Sequence, residues 1–458
     1  MEAAISYSPL LILLLGTLSV VLCIVVFGLP AYISLMLSAI VVGMMTPYTG
    51  DGSAWVVAVE NAMKEFGVTA GKVSFVIAIA SVLGLAMTES GAAEKIVNRL
   101  IHVFGERRAG IALLVSGFIL SIPVFFDTVF FLLMPLAIAL TQKTGRHFVL
   151  FVMAISCGAV ITHSIIPPTP GPLLMAESLQ LNLGLVIIAG LLAGILPAIA
   201  GYKYAQYQNV KISIFPPRMS DETEDNKIDR LPSFGLSLMP ILLPLLLIIG
   251  ASVIKVVQPD SSDMLTQCIL FLGEKNVAMF LGLIVSLYLW AKGQGLNLKQ
   301  LGSKMERPLE IAGLIILITS SGGAFGAMIS KTGLGDMIEA ISANGFSMNL
   351  IVVAWVMAVV IKLAQGSGTV SVITTAGIMA AIVGSGADLP YHPIYLFMAI
   401  GYGSMVGSWM NDSGFWIVGK LSGMTEQQTF RSWTMLLVII GTVGFLQALV
   451  MSYVLPLT

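Results

Sequence analysis

Residues 84–91 read GLAMTESG and residues 326–333 read GAMISKTG, and each stretch opens one of two matching halves of the chain. Two pairs of polar interruptions in otherwise apolar sequence follow at corresponding places: the tips at 121–128 and 364–369, then the breaks at 163–172 and 411–414. Interruptions at matching positions in two halves are typical of a transporter whose binding site lies between inverted repeats. The repeat therefore predicts both the fold and where the site lies.

Composition places the chain in a membrane. It is 57% hydrophobic and only 10% charged, against about 25% charged residues in soluble domains. Several stretches approach the roughly 20 apolar residues that cross a bilayer: 8–29, 183–200, 236–254 and 433–455. The net charge of −1 gives no indication of a nucleic-acid or acidic partner, and none is expected; the three scattered cysteines predict neither a disulfide framework nor a metal cluster.

The predicted fold is an all-α polytopic membrane protein of about 10–12 spans, built as two inverted-topology repeats. We assign 1–204 to the first repeat with its preceding spans, 205–235 to a cytoplasmic linker and 236–458 to the second repeat. Each repeat carries a re-entrant hairpin (about 109–142 and 346–384) and a broken span (about 147–180 and 391–422). The other spans are expected near 8–28, 30–47, 73–88, 182–203, 238–257, 275–292, 309–330 and 432–455. Whether 89–108 contains an interfacial helix is left open.

The charge distribution supports the hairpins. Lysine and arginine are enriched in cytoplasmic loops, and basic residues stand both before the first hairpin (Arg107, Arg108) and after it (Lys143, Arg146). A single crossing would put these clusters on opposite sides. A re-entrant hairpin and an ordinary helix pair both place them inside, and the polar tip favours re-entrance. Most of the 23 basic residues are then cytoplasmic, and both termini are predicted outside.

Asp127, in the first tip, is the leading candidate for coupling chemistry. A carboxylate at membrane depth is costly and marks a functional site by default. Burial also disfavours its charged form, so Asp127 is predicted to carry a proton. The structural alternative is that Asp127 only caps the half-helix that follows it.

The second tip has a different chemistry. Gly366 and Gly368 permit close backbone approach, while Gln365, Ser367 and Thr369 supply amide and hydroxyl groups. At a half-helix N-terminus such a loop favours an anion, although a plain polar turn is the alternative. Lys362 stands one helical turn earlier and is expected to pair with the substrate, with Asp127 or with Asp412, or else to snorkel.

The two breaks supply further polar groups. The first contains four prolines between 167 and 172, which cannot continue a helix, and irregular backbone at membrane depth must line a cavity or be buried in protein. We therefore expect His163 and Thr169 to face a cavity, with a purely structural histidine as the alternative. The second break, 411–414, offers Asn411, Asp412 and Ser413, and Asp412 is the second candidate for proton coupling.

Nucleotide and zinc motifs are absent from the sequence. Residues 67–72 read GVTAGK, which lacks the spacing of a phosphate-binding loop, and no H-E-x-x-H pair occurs. The sequence therefore supports neither a nucleotide-driven pump nor a zinc protease. It predicts no enzyme, no cofactor and no metal.

The motifs resemble the gluconate permease family of bacterial proton symporters, part of the wider ion-transporter superfamily. The resemblance rests on residues 125–128 (FFDT) leading into 132–136 (LLMPL), on 163–172 and on 411–416 (NDSGFW). It extends over nearly the whole chain. It implies a secondary transporter with paired hairpins, and substrates such as gluconate, related small hydroxy acids or, in some members, D-serine.

The resulting hypothesis is import of gluconate or a related hydroxy-monocarboxylate by proton symport across the bacterial inner membrane. Asp127 and Asp412 are predicted to bind the coupled proton. The predicted substrate contacts are Thr128, His163, Thr169, Gln365, Ser367, Gly368, Thr369, Asn411 and Ser413. Sodium coupling, with a small organic acid or D-serine as cargo, is the alternative, and a non-transporting sensor or a membrane-embedded hydrolase is a remote one. A homodimer is left open.

Overall fold

The computed structural model describes residues 8–46, 54–144, 147–212, 214, 216, 231–258, 263–333, 349–383, 389–410 and 412–457. Within these ranges the chain is helical with connecting turns, and no strand occurs. This agrees with the predicted all-α class. Helices are the expected form because each satisfies its own backbone hydrogen bonds inside the bilayer.

Ten of the labelled helices belong to the first half of the chain. They are α1 (Ser8–Val25), α2 (Ala31–Met45), α3 (Ala54–Glu89), α4 (Ala92–Phe104), α5 (Ala109–Leu120), α6 (Phe126–Thr144), α7 (Phe148–Ile165), α8 (Pro170–Ser178), α9 (Leu183–Ala193) and α10 (Ile195–Lys211). A single turn of 3₁₀-helix, Glu106–Arg108, leads into α5.

The second half begins with α11. Its helices are α11 (Phe234–Val257), α12 (Met264–Leu272), α13 (Lys275–Gln294), α14 (Leu298–Lys304), α15 (Glu306–Ser330), α16 (Leu350–Gln365), α17 (Gly368–Val383), α18 (Ile394–Gly403), α19 (Ser413–Ser422), α20 (Glu426–Thr429) and α21 (Met435–Val454). A π-helical turn, Phe430–Thr434, joins α20 to α21.

Paired short helices occupy the ranges predicted for hairpins and broken spans. The first hairpin is α5 and α6, and the second is α16 and α17. The 12 residues of α5 extend only about 18 Å, so α5 alone cannot cross a hydrocarbon core of about 30 Å. The broken spans are α7 with α8 and α18 with α19. The first is interrupted within the predicted 163–172, whereas α18 already ends at Gly403, before the predicted break at 411–414.

Several element bounds differ from the predictions. Helix α3 begins at Ala54 and not near 73. The first turns of this helix were not predicted because they contain the polar residues Glu60, Lys64, Glu65 and Lys72. In the structure, Glu65 pairs with Lys331 at 3.0 Å. Helix α10 continues to Lys211, which is inside the range predicted as linker. Helix α12 was not predicted.

The open question about 89–108 is answered by α4. This 13-residue helix buries Ala92, Ala93, Ile96 and Val97 along one face and leaves charged residues on the other. Such a two-sided helix is typical of a segment that lies along a membrane surface. It carries the chain from the end of α3 to the first hairpin.

Seven of the described helices or joined helices are long and apolar enough to cross a membrane. They include α3, α7 with α8, α11 and α13. The shorter apolar helices α1, α2 and α18 lie where three further spans are predicted. Large apolar side chains on the outer helices are exposed, such as Leu14, Leu246 and Val450, as expected for a surface covered by lipid.

Helix α15 joins the outer helices to the second hairpin. It packs against α2 and α3 on one side and against α17 on the other. At the contact with α17, a Cβ placed on Gly326 would lie 2.4 Å from the Cα of Gly377, and one on Gly322 would lie 1.9 Å from Ile373. Small residues thus let the two backbones touch, as is common between membrane helices. We call this contact the seam.

Candidate functional site

A cavity of about 820 Å³ lies where both hairpin tips and both broken spans meet. One wall is α15, which contributes apolar residues such as Ile311, Leu314 and Ile318. Arg307, at the start of α15, lines the cavity and is itself exposed. The cavity therefore opens to the surface at this end. The two repeats therefore enclose one shared space.

Four half-helices begin at this cavity. The lining includes first-turn residues of α6, α8, α17 and α19: Phe126, Asp127, Thr128, Pro170, Gly171, Pro172, Gly368, Thr369, Val370, Ser413 and Gly414. The starts of α8 and α17 adjoin, because a Cβ on Gly171 would lie 4.0 Å from the Cα of Thr369. Helix N-termini carry a partial positive charge and free N–H groups. Their convergence makes the cavity attractive to an anion.

The second tip is a short glycine loop. Gly366 has a φ of +82°, a conformation that glycine adopts without steric cost, and its N–H donates to the Lys362 carbonyl at 2.8 Å. The Ser367 hydroxyl accepts from the Val370 N–H at 3.3 Å. In the described part of the chain, the N–H groups of Gly368 and Thr369 donate no hydrogen bond to the protein. These two donors are available to a ligand.

An ion pair joins the second tip to the break between α18 and α19. Lys362 is only 3% exposed, and its Nζ donates to Asp412 Oδ2 at 2.7 Å and to the Gly366 carbonyl at 2.6 Å. The other carboxylate oxygen of Asp412 accepts from the Gly414 N–H at 2.9 Å and so caps α19. Asp412 therefore has both an ionic partner and a capping role.

Further hydrogen bonds extend this pair to the first hairpin. Ser408 donates to Asp412 Oδ2, and Trp433 Nε1 donates to the Ser408 hydroxyl at 2.7 Å. The Trp433 ring packs against Phe126, with centroids 5.0 Å apart, and Phe126 is the residue before Asp127. A continuous set of contacts thus links the two halves beside the cavity.

Asp127 is placed differently from Asp412. It lies in the first turn of α6 and lines the same cavity as Asp412. Among the residues that the structure describes, none forms a hydrogen bond or ion pair with the Asp127 carboxylate. The capping interaction considered as its structural alternative is not seen.

The first break separates His163 from Thr169. His163 lines the cavity, packs edge-on to Phe125 with centroids 6.0 Å apart, and has no hydrogen-bond partner for Nδ1 within the described ranges. Thr169 is 2% exposed, and its hydroxyl donates to the carbonyls of Ile166 at 2.8 Å and His163 at 3.1 Å. The expectation that Thr169 faces the cavity is corrected: its hydroxyl closes the proline turn.

The structure brings most of the predicted site residues to one cavity. Those that line it are Asp127, Thr128, His163, Ser367, Gly368, Thr369, Asp412 and Ser413. Thr169 does not. Asn411 and the side chain of Gln365 lie outside the described residues. Lys362, whose role the sequence left open, pairs with Asp412, which excludes snorkelling. Glu89 is not among the residues that line the cavity, and it accepts a hydrogen bond from Gln294 at 3.1 Å.

Sequence reasoning missed several contributors. Arg307, Ser404 and Trp433 line the cavity, and Ser408 holds Asp412. Trp433 and Arg307 come from elements outside the hairpins and breaks, so the repeat pattern gave no signal for them. Ser408 lies four positions before Asp412, but residues 404–410 are not helical, so no periodic pattern pointed to it. No cluster of three or more histidine, cysteine, aspartate or glutamate residues suited to a metal occurs within the described ranges.

Comparisons with known proteins agree with this architecture. The model of the family described as GntP family permease matches residues 8–454. A gluconate permease of Pseudomonas aeruginosa is 31% identical over 397 residues, covering 85% of this chain and 86% of the relative. The Gnt-II system L-idonate transporter of Escherichia coli K12 is 27% identical, covering 98% of this chain and 100% of that protein.

A solved structure shares the fold. The Alcanivorax borkumensis YdaH transporter, whose crystal structure is described as having an unusual topology, superposes with a TM-score of 0.64 at 15% identity. The match covers 99% of this chain and 100% of that one. At this identity the likeness concerns the fold alone.

Proposed function

The chain belongs to the GntP permease family, and we propose that it imports gluconate or a related small hydroxy-monocarboxylate together with a proton. It is a multi-pass membrane permease and not an enzyme. The observation that carries the proposal is the convergence of four half-helix N-termini on one cavity. Its volume of about 820 Å³ suits a small-molecule ligand.

The substrate carboxylate is proposed to bind at the second tip. The N–H groups of Gly368 and Thr369 have no acceptor within the described chain, and the hydroxyls of Ser367 and Thr369 stand beside them. Free N–H groups at a helix start bind anions through hydrogen bonds and the helix dipole together. The adjoining start of α8 at Gly171 adds a second dipole.

The hydroxyl groups of the substrate are assigned to the first tip and the two breaks. Thr128, His163 and Ser413 come from three different elements and line the cavity. Each combines donor and acceptor capacity, which suits a chain of hydroxyls. Gln365 and Asn411 remain proposed contacts on sequence grounds. The names of the relatives, a gluconate permease and an L-idonate transporter, are consistent with a polyhydroxy acid.

The coupled proton is assigned first to Asp127. Lys362 neutralises Asp412, whereas no described residue pairs with Asp127, so the ionised Asp127 is a negative charge in the site without an ionic partner. That charge repels an anionic substrate, and protonation of Asp127 removes the repulsion. Substrate and proton therefore favour each other's binding. Asp412 takes part through the ion pair, and its own protonation would release Lys362.

Sodium coupling and D-serine transport form the alternative. An unpaired Asp127 is also a suitable partner for the ammonium group of a zwitterionic amino acid. Carbonyl and carboxylate oxygens at helix breaks can hold Na⁺, but Lys362 occupies those of the second half. The proton-coupled hydroxy acid is therefore the favoured function.

We place the protein in the bacterial inner membrane with both termini outside. This orientation follows from the excess of basic residues in the loops assigned to the cytoplasm. It makes the Arg307 end of the cavity the cytoplasmic end, so the structure would correspond to an inward-open state. A positive charge at that rim would attract the anion from the cytoplasmic side.

Uptake by proteoliposomes tests the proposal. A pH gradient, acidic outside, is expected to drive accumulation of radiolabelled gluconate and to acidify the lumen, with sodium replaced by choline throughout. D-serine and L-idonate are added as competitors to rank substrates. Uptake that follows a sodium gradient at constant pH, or competition by D-serine but not by sugar acids, would contradict the favoured function.

A further inference from the structure

Lys362 occupies an unusual position for a lysine in a membrane protein. It lies one helical turn before the end of α16 and is 3% exposed. Its ammonium group points into the protein, where Gly366 O lies at 2.6 Å and Asp412 Oδ2 at 2.7 Å. Both acceptors belong to interruptions of membrane helices.

These acceptors are the type that binds alkali cations. Gly366 is the C-cap of a half-helix, where the end of the helix dipole is negative. It adopts a left-handed conformation, and its carbonyl oxygen accepts from Lys362 Nζ. The Asp412 carboxylate supplies the formal charge, and Ser408 stands beside it as a third oxygen. Carbonyls at half-helix C-termini together with carboxylates and hydroxyls are common ligands for Na⁺ in transporters.

We infer that the Lys362 ammonium is a tethered cation that fills an alkali-cation site between the second tip and Asp412. The fixed charge draws the end of α16 to the start of α19, which brings the N-termini of α17 and α19 to the same cavity. Because the cation is covalently attached, this half of the protein takes no mobile ion. The inference deepens the proposed function, since it leaves Asp127 as the carboxylate free to exchange its ion.

An ordinary buried ion pair would have a different consequence. Removing one partner of such a pair leaves a costly unpaired charge, whatever salt is present. A cation site, in contrast, can be refilled from solution once the tether is removed. The two explanations therefore differ in whether a small cation specifically restores the protein that lacks the ammonium group.

Sodium binding to Lys362→Ala is the decisive measurement. The purified full-length protein in nanodiscs is tested without substrate, by ²²Na⁺ binding and by thermal unfolding in sodium, potassium or choline chloride at equal ionic strength. Wild-type protein is expected to show no sodium-specific shift. Lys362→Ala is expected to bind Na⁺ at least about tenfold more tightly than wild type, and to unfold at a higher temperature in sodium than in choline.

Two further variants keep the result interpretable. Lys362→Ala with Asp412→Asn removes both charges, and this protein is expected to fold without gaining sodium binding. Lys331→Ala removes a lysine from another pair, Lys331–Glu65, and is expected to gain no sodium binding. If Lys362→Ala cannot be purified in sodium while the double variant can, Na⁺ does not replace the ammonium and the inference fails.

Other outcomes also overturn it. Equal stabilisation of Lys362→Ala by sodium and choline would identify an ordinary ion pair. Sodium binding by the wild type that Asp412→Asn abolishes would show that the site is not filled by lysine. Since no substrate is present, these results do not depend on whether the protein carries gluconate, and failure of the proposed function is read separately from uptake.

Discussion

The two hairpin tips share a backbone plan but differ in charge. Both end one half-helix and begin another at the cavity wall. Beside the second tip a cation and an anion are in contact, since Lys362 at the end of α16 pairs with Asp412 in the α18–α19 break at 2.7 Å. The first tip presents Asp127, for which the described residues offer no ionic partner. In the second half the carboxylate is paired with a lysine, whereas in the first half the carboxylate has a charge that a proton can remove.

This difference indicates a division of labour within a symmetric fold. The repeat positions four helix N-termini around one space, which any anion would use. The departures from the repeat determine which half is fixed and which half responds to its surroundings. The predictions below alter one half while leaving the corresponding feature of the other in place.

The largest effect is expected from Asp127→Asn. The amide imitates the protonated acid but cannot release a proton, so substrate exchange should continue while coupling is lost. For an anion carried with one proton, a gradient of about one pH unit drives up to about tenfold accumulation. The variant should reach only the equilibrium distribution, as measured by radiolabelled gluconate uptake under an imposed pH gradient.

Glu89→Gln is the matched control for that measurement. Glu89 lies in the same half, does not line the cavity and contacts Gln294, so its loss should leave accumulation unchanged. Normal accumulation by Asp127→Asn would remove the functional contrast between the tips and would transfer proton coupling to another group.

An intermediate effect is expected from Thr369→Val, compared with Thr169→Val. The Thr369 hydroxyl stands at the proposed carboxylate site, and a hydrogen bond to a charged group contributes about 1.5–3 kcal/mol. Loss of it should weaken gluconate binding roughly 10- to 100-fold. Thr169→Val should cost about 1 kcal/mol of stability with little change in affinity, because its hydroxyl closes the proline turn.

Calorimetric titration and thermal unfolding together separate those two threonines. Equal losses of affinity would mean that both hydroxyls act on the substrate, and the correction made for Thr169 would itself be wrong. Unchanged affinity in Thr369→Val would remove the carboxylate from the second tip.

The smallest effect is expected from Trp433→Phe. Phenylalanine retains the ring contact with Phe126 but loses the hydrogen bond to Ser408, which contributes about 1 kcal/mol. Accumulation should fall by less than Asp127→Asn reduces it, because the Lys362–Asp412 pair remains. A full loss of accumulation would show that this indole is required for communication between the two tips.

The sequence predicted the architecture well because the fold depends on features that a membrane makes obvious. Long apolar stretches, proline-rich and glycine-rich breaks and the sign of loop charges each report a local constraint, and the structure is all-helical with interruptions at 121–125 and 166–169. The start of α3 was missed because its first turns are polar. Those residues find partners such as Lys331, which no local pattern reveals.

The site was predictable only where it lies within the repeat. Eight of the named residues line the cavity because the tips and breaks were recognisable. The pairing of Lys362 with Asp412 joins residues 50 positions apart, and Trp433 comes from beyond both hairpins. Such contacts depend on how helices pack, and apolar periodicity is uninformative when helices are apolar on all sides, as α7 is.

The seam between α15 and α17 has a mechanical consequence. The fully buried hydroxyl residues of these helices include Thr319 and Ser320 on α15 and Thr374 and Thr375 on α17. Within the described chain none of these hydroxyls has a hydrogen-bond partner. Displacing the second hairpin along α15 therefore breaks no side-chain hydrogen bond of these four groups. What holds the two helices together at Gly322 and Gly326 is close packing, so a side chain larger than glycine at either position would force the hairpin away from α15.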